Sequence, residues 1–177
     1  MAEIIDFTYR PLADRRPATS VFFGLVALSF LAAIPSVSME KYKGVASLIA
    51  VIFFVSAMAV YSRYLLGEYA YACFTTTDGR AVLTVTKTSG KRVSTMLSVY
   101  FSEITDVVFY PSAAEREKPR GEVKKYNYVA SLRPKQVVQI EVISSGVRSS
   151  VLLEGSEAFA NRLRECALIA ASEREEE

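Results

Sequence analysis

The chain contains no histidine. That absence removes the Ser-His-Asp triad, the Cys-His dyad, the HExxH zinc site and any imidazole pH switch. Cysteine is scarce as well. Cys73 and Cys166 are too few for a disulfide scaffold or a four-cysteine zinc site. Glycines occur singly, as turn punctuation, so there is no phosphate-cradling loop. A net charge of +2 is too small to propose nucleic acid as a partner. Charge is also missing locally: residues 17–62 carry only Glu40, Lys41 and Lys43.

That stretch holds two apolar runs. The first covers residues 17–39 and centres on Val21 to Ile34, and the second covers residues 44–62 and continues through Tyr64, Leu65 and Leu66. A hydrocarbon core of about 30 Å needs roughly 20 helical residues, so both qualify as membrane spans. Two buried helices of a soluble protein are the plain alternative, but a domain this small cannot cover two helices that are apolar all round. A cleaved leader is the other, since Arg15 and Arg16 precede the first run. The segment ahead of it is long, however, and no Ala-x-Ala site follows. The connector is short, so the spans form an antiparallel hairpin. Arg10, Arg15, Arg16 and Arg63 flank its open end, and Lys41 and Lys43 lie in its connector. The positive-inside rule then places both termini in the cytoplasm of a multi-pass plasma-membrane protein. No charged residue lies mid-span, which argues against a transport path through the hairpin.

From Glu68 the pattern changes to period two. Strands are expected over residues 69–77, 80–87, 92–101, 104–110, 126–132, 137–143 and 147–153, with Asp78-Gly79 as a hairpin turn. Residues 111–125 read as a solvated loop. Beyond Ser156, a candidate N-cap, the period becomes 3.6, with Phe159, Leu163, Cys166, Ala167 and Ala170 on one helical face. The expected organisation is a cytoplasmic N-terminal segment (1–17), a helical hairpin (18–67, with spans 18–37 and 44–66), a mainly-β domain (68–172) and an acidic tail (173–177).

About seven antiparallel strands capped by a C-terminal α-helix is the pleckstrin-homology (PH) order. Together with the preceding hairpin, and with Ser102-Glu103-Ile104-Thr105-Asp106-Val107 and Gly155-Ser156-Glu157-Ala158-Phe159 as local patterns, the chain resembles the bacterial membrane-anchored PH-like family. The resemblance implies a PH-like barrel. It would also place phosphoinositide-binding residues on the first strand hairpin, where this chain offers only Arg80.

Candidate binding residues for a protein partner or lipid headgroup are Lys87, Lys91 and Arg92 in one turn, and Arg120, Lys124, Lys125, Arg133 and Lys135 in a basic stretch. Tyr126 and Tyr128 join them as a candidate ligand-facing pair on one strand face. Residues 111–135 hold seven basic residues against three acidic ones, while residues 68–177 sum to zero. Glu103, Asp106 and Glu141 are single carboxylates with no pairing visible from spacing, and both cysteines read as small core residues. No catalytic residue, metal site or cofactor is expected. The reading is a non-catalytic membrane-anchored adaptor that presents a PH-like domain at the inner leaflet for protein recruitment or assembly. Homo-oligomerisation is compatible with it. The alternatives are an anionic-lipid or small-ligand sensor, and an accessory subunit of a larger membrane complex.

Overall fold

A computed structural model describes residues 6–38, 40–116 and 123–175. Two compact units result: Asp14–Gly67, and Met1–Ala13 together with Glu68–Glu177.

The first unit is the helical hairpin. Helix α1 (Arg16–Ser38) starts where the Asp14 carboxylate accepts the Arg16 N–H at 3.1 Å. Pro17 sits in the first turn, where a missing N–H removes no intrahelical bond. The helix runs through Pro35 to Ser38, about 35 Å at 1.5 Å per residue. A 3₁₀ turn (Glu40–Tyr42) leads to α2 (Lys43–Val60), which ends in a π-helical turn (Tyr61–Leu65). Ser29 Oγ donates to the Ala50 carbonyl at 2.9 Å, so a hydroxyl amid apolar side chains is satisfied on the facing helix. Near the open end Phe22 meets Tyr61 at 5.5 Å between ring centroids. In the most apolar window of each helix only 6% and 11% of residues are buried, which separates both helices from the core helix of a soluble protein. Phe23, Phe30, Leu31, Leu48, Phe54 and Val55 are all exposed. Both helices are long and apolar enough to cross a membrane.

The second unit contains two four-stranded sheets. The first runs in the order β1 (Asp6–Tyr9), β2 (Gly67–Thr75), β3 (Ala81–Ser89), β4 (Arg92–Tyr100). In the second, β5 (Ile104–Tyr110), β7 (Val137–Ser144), β8 (Val147–Glu154) and β6 (Lys124–Asn127) are neighbours in that order. Helix α3 (Glu157–Glu175) follows β8, with Ser156 Oγ accepting the Phe159 N–H at 3.4 Å as its N-cap. Phe159, Leu163, Cys166 and Ala170 enter a core shared with Tyr71, Cys73, Leu83, Val85, Phe101, Val138, Ile140 and Leu153. Burying one such Val, Leu, Ile or Phe contributes about 1.5–3 kcal/mol.

The structure departs from the sequence reading in four places. Residues 6–9, assigned to the N-terminal segment, form an edge strand paired antiparallel with β2, Tyr9 opposite Tyr71. A four-residue alternation is too short to register as a period, and its partner lies more than sixty residues away. The strand expected at residues 126–132 is instead β6, earlier and shorter, and it runs parallel to β8. The Asn127 side chain accepts the Val129 N–H at 3.1 Å, a local bond that ends the ladder. Among the described residues the eight strands form two four-stranded sheets that do not close into one barrel. Finally, the acidic tail is helical as far as Glu175, since α3 continues into it.

Candidate functional site

Tyr71 is the hub between the sheets. Its ring is fully buried on β2, stacked near Phe159 (5.7 Å) and Tyr9 (6.2 Å). Its hydroxyl donates to the Tyr128 carbonyl at 2.8 Å and accepts the Glu154 N–H at 3.2 Å. Burial pushes the Tyr71 phenol well above its ordinary value, partly opposed by that Glu154 N–H. Glu154 in turn accepts from Ser131, through its N–H and Oγ, both at 2.7 Å. One chain of bonds thus fixes residues 128–131 against β2 and β8.

Tyr128, fixed in this way, reaches across to the first sheet. Its hydroxyl donates to the Met96 carbonyl at 3.1 Å. Met96 is the extra residue of a β-bulge: Val85 faces Leu97 and Thr86 faces Thr95, which leaves Met96 without a partner in the ladder. The Tyr128 ring lies parallel to that of Tyr126, centroids 6.3 Å apart at 4°. Burial, and then the nearby Tyr126 and Tyr69 hydroxyls, raise the Tyr128 phenol above its ordinary value. Lys87 Nζ stands 5.7 Å from the centre of the Tyr69 ring, a cation–π contact. Lys87 on β3, Tyr69 on β2, and Tyr126 and Tyr128 at the end of β6 therefore form one aromatic and basic cluster. Tyr69 is the member that candidate-site reasoning missed. Its alternation with Tyr71 on β2 is the signal that could have found it.

The other candidates are more scattered. Lys91 and Arg92 are exposed at the turn between β3 and β4, where Gly90 takes φ +61°. Lys124 and Lys125 are exposed on the edge strand β6, opposite Ser149 and Ser150 of β8. Arg133 and Lys135 are exposed in the irregular segment before β7. Arg120 lies outside the described residues. Arg116 Nε donates to Gln139 Oε1 at 2.8 Å.

The carboxylates have structural surroundings. Glu103 accepts from Ser144 Oγ at 2.6 Å and from the Tyr100 N–H at 3.3 Å, capping the 3₁₀ turn Phe101–Glu103. The β5–β7 register sets Asp106 opposite Glu141, a pairing that sequence spacing did not reveal. Like charges facing each other in this way are unfavourable. Arg148 bonds Glu141 at 3.0 Å and offsets part of that cost. Cys73 is fully buried, and desolvation, with Cys166 nearby, pushes its thiol well above the ordinary range. The neutral thiol that results is a poor nucleophile. Among the described residues no three His, Cys, Asp or Glu side chains gather as metal ligands.

No family model, curated protein or solved structure matches the chain.

Proposed function

We propose that the chain is a non-catalytic membrane-anchored adaptor, in which the hairpin crosses the plasma membrane and a PH-like β unit stands at its cytoplasmic face to recruit another protein. The observation that carries this reading is the outward-facing apolar surface of α1 and α2, joined to a β unit with a complete core of its own. The β1–β2 pairing supports it. It ties the chain before α1 to the chain after α2, so both flanks of the hairpin share one side of the bilayer. It also argues against a cleaved leader, because cleavage after α1 would remove a strand and its Tyr9–Phe159 stack (4.3 Å) from the β unit. The four flanking arginines against two connector lysines favour the cytoplasm for that side.

The docking surface is the outer edge of β4, which pairs with no further strand among the described residues, although its Met96 carbonyl and Tyr100 N–H are already bonded to Tyr128 and Glu103. It is nine residues long, and Val93, Met96 and Tyr100 are exposed along it. The remaining edge N–H and C=O groups are open to an added strand. Anchoring raises the local concentration, so a weak edge contact suffices.

The test has two arms on the full chain in cells. Alkaline carbonate should leave the protein in the membrane pellet, and protease added outside intact spheroplasts should spare the β unit. Photocrosslinkers at Ser94 or Ser98 should yield one discrete product, and one at Asp78 should yield none. Carbonate release would refute anchoring. Equal products from all three positions would refute a specific edge.

A further inference from the structure

Strand register gathers basic residues at one end of the first sheet. β2 begins at Gly67, two residues beyond the π-helical turn that ends α2. Thr86 Oγ1 donates to the Ala70 carbonyl at 3.2 Å, which aligns the end of β3 with the start of β2. Ser89 pairs with Arg92, so the β3–β4 turn falls at that same end and brings Lys87, Lys91 and Arg92 to it. β1 runs antiparallel to β2 and finishes at Tyr9, after which Arg10, Arg15 and Arg16 lead into α1. Arg63 lies in the π-helical turn. Four basic residues of the β unit, Arg10, Lys87, Lys91 and Arg92, therefore lie at the end of the sheet where the chain leaves for α1 and returns from α2, and Arg15, Arg16 and Arg63 follow or precede it closely in sequence. At the other end of the sheet, the loop of residues 76–80 carries only Asp78 and Arg80, which balance.

Covalent geometry limits how far this end lies from α2. Tyr69, under the Lys87 ammonium, follows Leu65 by four residues, at most about 14 Å of extended chain. The short link between β1 and α1 also presents Leu12, 98% exposed, and the π-helical turn carries Tyr61 and Tyr64. Arginine, lysine and tyrosine beside an exposed leucine is the composition of a membrane–water interface.

We infer that this end of the sheet is a basic collar that seats the β unit on anionic phospholipid headgroups around the anchor. The inference rests on the reading that α1 and α2 span a bilayer. Each basic residue near an anionic surface favours the seated state roughly fivefold, and the contact weakens within a Debye length as salt rises. Seating would fix the direction in which the β4 edge faces the cytoplasm.

The experiment uses the full chain in vesicles of phosphatidylcholine alone or mixed with phosphatidylglycerol, with an environment-sensitive dye on Ser94→Cys. The native cysteines are buried and spared by the label. Emission should shift to the blue in phosphatidylglycerol vesicles and return on adding salt. Lys91→Gln with Arg92→Gln should lower the seated-to-free ratio about 30-fold. Arg80→Gln should leave it unchanged. Equal emission in both lipids, or an unaltered lipid response in the double variant, would overturn the collar. Release of the protein from both vesicles by carbonate would instead overturn the spanning reading. The wild-type lipid comparison stands even if the double variant misfolds.

Discussion

Replacing Tyr71 by phenylalanine tests the junction between the two sheets. The substitution keeps the ring and its stacking but deletes one oxygen. It strands two groups in the interior: the Tyr128 carbonyl, now 2.8 Å from the donor, and the Glu154 N–H, now 3.2 Å from the acceptor. An unsatisfied buried group costs about 1–3 kcal/mol, so the loss should be about 2–4 kcal/mol after partial relaxation. At roughly 4 °C per kcal/mol for a unit of this size, Tm should fall by about 8–16 °C. Circular dichroism of the detergent-solubilised full chain, followed in the near-UV tyrosine band, reads the change. The variant should also alter the alkaline limb of stability. Burial raises the Tyr71 phenol above its ordinary value of about 10, so above that pH the folded state retains a proton that the unfolded chain releases. Wild-type stability therefore begins to decline near pH 9, where the buried Cys73 thiol keeps a proton the unfolded chain releases, and declines further above about pH 10 through Tyr71. The variant should decline less steeply, with Cys73 and Tyr128 supplying the remaining slope. A Tm change below about 2 °C with an unchanged alkaline limb would refute the hub.

Gly155→Ala should destabilise by about 1–3 kcal/mol, because its Cβ would lie 2.4 Å from Phe159 Cδ1, on a ring already stacked on Tyr9. Urea titration reads this, and an unchanged midpoint would show that Phe159 moves freely. Ser150→Ala should be neutral or stabilising, since Ser150 Oγ is buried with no hydrogen-bond partner among the described residues. A loss above about 1 kcal/mol in the same titration would reveal a bond to that hydroxyl. Cys73 and Cys166 should resist a thiol reagent in the native protein and react together on unfolding. Rapid native labelling of either would contradict the core assignment.

The sequence by itself determined whatever local period and composition encode. Two charge-poor runs of helical length produced α1 and α2, because every side chain in them is compatible with lipid. Alternation produced β2, β3, β4, β5, β7 and β8, and the change to period 3.6 after Ser156 placed Phe159, Leu163, Cys166 and Ala170 on the buried face of α3. Lys87, Lys91, Arg92, Tyr126 and Tyr128 could be named as candidates from their types and spacing. What they adjoin could not be named, because those neighbours are distant in sequence. Only the tertiary structure set Tyr128 against Met96, Lys87 over Tyr69 and Asp106 opposite Glu141. Only it recruited residues 6–9, whose short alternation gains stability from pairing with β2 and from Tyr9 stacking on Phe159. Strand register, unlike helical phase, is fixed by contacts across the sheet. The placing of Lys87, Lys91 and Arg92 at the end of the sheet where β2 begins follows from that register and from no single stretch of the chain.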